Sequence, residues 1–124
     1  MPPVPPWFRW LTYVMAALLA VCVVLQYNDP DPIRWMAIYG AGAALSAALP
    51  RRRAAALPAV ILGLLGLAWS AYLASRVWGV IVPSDLWLKM SEKGGAVEEG
   101  REAGGLAIEG AWFVFAGAFR RRRA

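Results

Sequence analysis

Two short polar stretches break an otherwise apolar chain, and they hold most of the side chains that could do chemistry. The first is Asn28-Asp29-Pro30-Asp31-Pro32, with Arg34 close behind it. The second is Glu98-Glu99-Gly100-Arg101-Glu102, with Glu109 further along. Carboxylates unaccompanied by imidazole or thiolate suit a hard, oxygen-seeking cation such as Ca²⁺, or a cationic ligand. Set beside Arg34, Arg76 and Arg101, they make more simply an internal salt-bridge network that locks the first loop to the last hairpin. Arg101 is the expected central donor of that network. Its planar fork of five donors lets several carboxylates converge, with Asp29 or Asp31 joining Glu98 and Glu102. The chain contains no His, which removes the usual haem ligand and the commonest transition-metal ligand. Cys22 is alone inside an apolar run and reads as a buried structural thiol. No nucleophile stands beside a base, so no catalytic residue, metal site or cofactor is expected.

The elements that position these residues follow from composition. The chain has 124 residues, 60% of them apolar and only 17% charged. A soluble domain averages roughly 45–50% apolar and about 25% charged. That displacement excludes a soluble enzyme, a disordered linker, a collagen-like chain and a disulfide-built one. The expected architecture is all-α: a single transmembrane domain over residues 1–124, an integral membrane four-helix bundle. Helices are expected at about 8–26, 33–49, 55–80 and 98–119, with an outer loop at about 83–97. The first run spans about 28 Å at 1.5 Å per residue, close to the ~30 Å hydrocarbon core. It shows no cleavage site before Tyr27 and reads as a retained helix. Pro30, Pro32 and Pro50 interrupt the pattern where helices must stop or start. The fourth run, Leu106–Phe119, is short for a crossing unless the helix begins near Glu98. An interfacial helix is the alternative there.

Charge sets the expected orientation. With both termini on one side, that side holds Arg9, Arg51–Arg53 and Arg120–Arg123, and no acid. The other side holds Arg34, Arg76, Lys89, Lys93 and Arg101, with every acidic residue of the chain. Cytoplasmic segments carry the Lys/Arg excess, so both termini are expected in the cytoplasm of a cell-membrane protein (the inner membrane, if bacterial). The same placement explains the basic pI of 10.0 without nucleic acid, which is not an expected partner. Trp7 and Trp10 fall at one expected interface and Tyr27, Trp35, Trp78 and Trp87 at the other. Trp69, Tyr72 and Trp112 lie deeper and are expected to pack inside the bundle.

Small residues supply the expected packing. Gly40 with Ala44, and Gly42 with Ser46, form small-xxx-small pairs on the second helix, and Gly63 and Gly66 offer a matching groove on the third. Lipid tails are as apolar as the helices, so association depends on close backbone approach. These faces can pack within the chain or dock onto other membrane-protein subunits, which with the lipid bilayer are the expected partners.

The Asn28–Asp31 turn, Trp35, Tyr39, Glu98–Glu102, Gly105, Leu106 and Ala111-Trp112 together resemble the transmembrane protein 220 family of small multi-pass proteins. The resemblance implies a membrane fold and no particular activity. The expected role is a non-enzymatic accessory, assembly or structural subunit of a larger membrane complex. The alternative is an oligomeric carrier of an ion or small molecule. The residues to examine are Asn28, Asp29, Asp31, Arg34, Arg76, Glu98, Arg101, Glu102 and Glu109.

Overall fold

The computed structural model describes residues 4–28, 31–82, 84 and 96–122. They form four helices: α1 (Pro6–Leu25), α2 (Pro32–Ala48), α3 (Ala56–Val77) and α4 (Ala96–Arg122). Short 3₁₀ turns at Gln26–Asn28 and Arg53–Ala55 lead out of α1 and into α3. No strand occurs among the described residues. Two stretches, Pro6–Leu25 and Arg53–Val77, are long and apolar enough to cross a membrane. The loop expected at about 83–97 lies almost wholly outside the described residues.

Proline sets two of the helix starts. Pro6 and Pro32 open α1 and α2, where the missing N–H would have found no helical partner. Asp31 occupies the N-cap of α2, but its side chain does not bond a backbone N–H. α3 stops at Val77 rather than near 80. Gly79 has φ 81°, and the N–H groups of Val80 and Ile81 both return to the Val77 carbonyl, at 3.0 and 3.3 Å. A left-handed residue just past the helix ends it and satisfies its last carbonyls. α4 starts at Ala96 and runs 27 residues, about 40 Å, with Glu98 and Glu99 in its first turn and Arg120–Arg122 in its last. Both charge signs oppose the helix dipole favourably.

The chain divides into two compact units: Met1–Val60 with Phe115–Ala124, and Ile61–Val114. In the first, α1 packs along α2, and Phe8 stacks on Phe119 with ring centres 4.6 Å apart. Trp7 meets the same Phe119 ring edge-on at 5.0 Å, so the first turn of α1 adjoins the last turns of α4. A Cβ on Gly117 would lie 2.7 Å from the Ala56 carbonyl oxygen, which leaves room there for glycine alone.

In the second unit α3 and α4 touch backbone to backbone. A Cβ on Gly63 would lie 2.7 Å from both the Gly110 carbonyl oxygen and the Val114 nitrogen. A Cβ on Gly110 would lie 2.8 Å from the Gly63 carbonyl oxygen. Buried Ser70 donates to the Ala103 carbonyl at 2.6 Å. Within this unit the contacting residues recur every seventh position: Gly63 and Ser70 on α3, Ala103 and Gly110 on α4. A seven-residue repeat keeps a narrow seam facing its partner along the helix. The groove at Gly63 and Gly66, expected to suit α2, is filled by Gly110, Leu106 and Val114 of α4.

Two aromatic expectations change. Trp35, expected at an interface, is buried beside Tyr39, with the Arg34 guanidinium 5.5 Å over its ring. Tyr72, expected inside, is 57% exposed. Its place on α3 is one turn before Arg76, which donates to its hydroxyl at 3.4 Å.

Candidate functional site

The polar residues singled out by sequence sort by unit. In the first, Arg34 Nη2 lies 3.0 Å from Asp31 Oδ2, one turn away on α2, and both side chains are half-exposed. That bond takes the carboxylate that would otherwise cap the helix. Asn28 closes the 3₁₀ turn after α1. Asp29 lies outside the described residues, and with it the expected bond from Arg101 to that side chain.

In the second unit the link between α3 and the start of α4 is made by Arg76. Its Nε donates to Glu99 Oε2 at 2.8 Å and its Nη2 to Glu99 Oε1 at 3.3 Å. This is a two-pronged match of guanidinium to carboxylate, the stronger form of such a pair. Arg76 is just over half exposed, so water screens the attraction and leaves orientation as its main effect. Glu98, Arg101 and Glu102 follow on the first turns of α4, each half-buried. Glu99, the residue that takes Arg76, is one of the carboxylates expected from sequence to converge with Arg34, Arg76 and Arg101. The sequence signal for it is its place in the helix's first turn, opposite the last turn of α3. Reversing the pair tests its role: Arg76→Glu and Glu99→Arg should each lower the melting temperature slightly, and the double reversal should restore it. Additive losses in the double variant would show that the bond contributes nothing.

Among the described residues Glu109 is the acid that is buried. It is 7% exposed, one residue before Gly110 on α4, and its Oε1 is buried without a hydrogen-bond partner among the described residues. An ionisable group inside an apolar helix is costly and marks a position to test for function. Among the described residues no three His, Cys, Asp or Glu side chains come together to hold a metal ion.

A further polar grouping, expected from sequence only as interface charge, lies within the first unit. Arg120 is not splayed toward water with its neighbours: it is 1% exposed, and its Nε donates to the Leu49 carbonyl at 2.8 Å. Arg53 donates from Nη2 to the Arg121 carbonyl at 2.9 Å, and Arg51 donates from Nε to the Tyr13 hydroxyl at 3.3 Å. The Tyr13 bond holds the Arg51 guanidinium above its ordinary pKa. Each helix end leaves carbonyls without helical partners, and two of these arginines fill that need for α2 and α4.

These features describe a helical protein whose polar chemistry lies at helix ends, with one buried carboxyl within α4. No solved structure matches the chain. The model of the family described as transmembrane family 220, helix, matches residues 18–117, which takes in the end of α1, all of α2 and α3, and most of α4. The chain therefore belongs to transmembrane family 220.

Proposed function

We propose that this protein crosses the cell membrane four times with both termini in the cytoplasm, and serves without catalysis as an accessory or structural subunit of a larger membrane complex. The observation that carries the subunit reading is the outer face of α2. Its two small-residue pairs part company: Gly42 and Ser46 are buried, whereas Ala44 is exposed together with Ala37 and Ala41. The exposed faces of α1 and α3 carry Val14, Leu18 and Val21, and Leu57, Ile61 and Leu64. Large apolar side chains suit lipid, and small ones suit the close approach of another helix. A face of alanines is thus matched to a partner helix.

Glu109 favours a second reading, an oligomeric carrier in which the buried carboxyl engages the cargo. One experiment separates the two: purification from native membranes in mild detergent of the parent, Ala44→Leu and Glu109→Gln. The subunit reading expects a stoichiometric partner that Ala44→Leu sheds at unchanged melting temperature and Glu109→Gln retains. A homodimer with a cation-dependent melting shift, lost in Glu109→Gln, would establish the carrier instead. Recovery of the parent as a lone chain unaffected by cations would sink both.

The topology follows from the one-sided arginines, and the contact of Trp7 and Phe8 with Phe119 supports it. Reporters fused at Ala124 and inserted at Gly94 are expected to report opposite sides of the membrane. Same-side signals would remove either the third or the fourth crossing.

A further inference from the structure

We infer that the arginine-lined cavity where α3 begins and α4 ends is a binding site for the phosphate of an anionic membrane lipid. The inference rests on the proposed topology, which puts these arginines on the cytoplasmic side, and not on the subunit reading. The cavity is open, about 430 Å³ in volume, and lined by Arg53, Ala54, Ala56, Leu57 and Arg121. Its walls are of two kinds. Arg53 and Arg121 are both exposed, while Ala56 and Leu57 supply apolar surface. Leu57 is itself 48% exposed, on the side an acyl chain could follow.

Charge argues that something anionic belongs there. Arg51–Arg53 and Arg120–Arg123 contain no acid, and all eight acids of the chain lie in other segments. Arg53 bonds the carbonyl of Arg121, so two guanidinium-bearing residues are held together by a contact that neutralises neither. Among the described residues no carboxylate is paired with either side chain. Guanidinium forks match phosphate oxygens in pairs, as they match carboxylates. The cavity also adjoins the N-terminal end of α3, a 22-residue helix, where the dipole adds positive potential. Basic pockets beside membrane helices on the cytoplasmic side take lipid head groups for these reasons. A free phosphate would satisfy the arginines but not use Leu57, and on that ground the lipid is favoured.

The test uses the full chain in neutral detergent, titrated with phosphatidylglycerol, phosphatidylcholine or inorganic phosphate, with bound lipid read by native mass spectrometry and melting temperature. Phosphatidylglycerol should bind and raise the melting temperature, and phosphatidylcholine should do so far less. Arg121→Gln, which keeps the backbone carbonyl used by Arg53, should weaken phosphatidylglycerol about fivefold, equivalent to about 1 kcal/mol near an anionic surface. Arg122→Gln, exposed but not lining the cavity, should leave binding unchanged. Arg53→Gln should match Arg121→Gln if it folds, and Arg121→Gln decides the matter if it does not. Equal weakening by Arg122→Gln would overturn the site in favour of diffuse surface charge. Equal binding of phosphatidylcholine would overturn the phosphate recognition. Protection by inorganic phosphate at the same concentration would overturn the lipid in favour of a free anion.

Discussion

Gly63→Ala is expected to destabilise the protein by about 1–3 kcal/mol, and Gly63→Leu by more, although alanine is the better helix former. The sign is the informative part. In an open helix, replacing glycine by alanine gains roughly 0.5–1 kcal/mol, because glycine loses more backbone freedom on folding. At Gly63 the new methyl would sit 2.7 Å from two backbone atoms of α4, the Gly110 oxygen and the Val114 nitrogen. Neither atom can rotate away as a side-chain tip can, so the helices must part. Separation removes the van der Waals contact on which helix association in lipid depends. It also stretches the 2.6 Å bond from Ser70 to Ala103, one repeat along. Gly104, on the facing helix α4, is the control, since a Cβ there would meet nothing within 4 Å. Thermal denaturation in detergent should therefore rank Gly104→Ala above the parent and Gly63→Ala below it. If both alanine variants melt above the parent, α3 and α4 do not touch backbone to backbone.

The seam behind that expectation is made of residues that the sequence contains but does not align. Small residues at spacings of four share one helix face, and on that ground Gly40 with Ala44 and Gly42 with Ser46 stand out. The α3–α4 contact of the second unit uses a spacing of seven, and Gly63 and Ser70 carry meaning only once aligned antiparallel with Ala103 and Gly110. A reading of one helix at a time contains no such alignment. Helix starts were easier, because Pro6 and Pro32 act through their own rings. The end of α3 was harder: nothing local distinguishes Gly79, in its left-handed turn, from the glycines inside helices.

The candidate site divides in the same way. Asp31 with Arg34 is a one-turn pair, predictable from spacing alone. Arg76 with Glu99 depends on where α4 begins and how it meets α3, which spacing within one helix does not contain. Glu109 was visible as an acid in an apolar run, but its burial depends on the rotation of α4. That same rotation separates Arg120 from Arg121 and Arg122, which composition treats as equivalent.

Arg120→Met is the sharpest test of that separation, and it should cost about 1.5–3 kcal/mol, the range for a hydrogen bond made by a charged group. α2 ends at Ala48 with Leu49 as its C-cap, and the chain turns away through Pro50 and Arg51, so no helical N–H four residues on reaches the Leu49 carbonyl. The Leu49 carbonyl therefore needs a donor from elsewhere, and Arg120 Nε supplies it at 2.8 Å from a position 1% exposed. Methionine keeps much of the apolar stem but offers no donor, so a buried carbonyl is left unsatisfied at the end of a helix whose dipole favours a cation. Arg120→Lys restores the charge without the planar fork and should recover only part of the loss. Arg121→Met is the comparison: that side chain is exposed, its carbonyl is what Arg53 bonds, and the carbonyl survives substitution. It should stay within about 0.5 kcal/mol of the parent, as surface changes usually do. Denaturation in detergent measures all three variants. Equal losses for Arg120→Met and Arg121→Met would mean that the arginines act together as interface charge, and that the end of α2 is held by something other than Arg120.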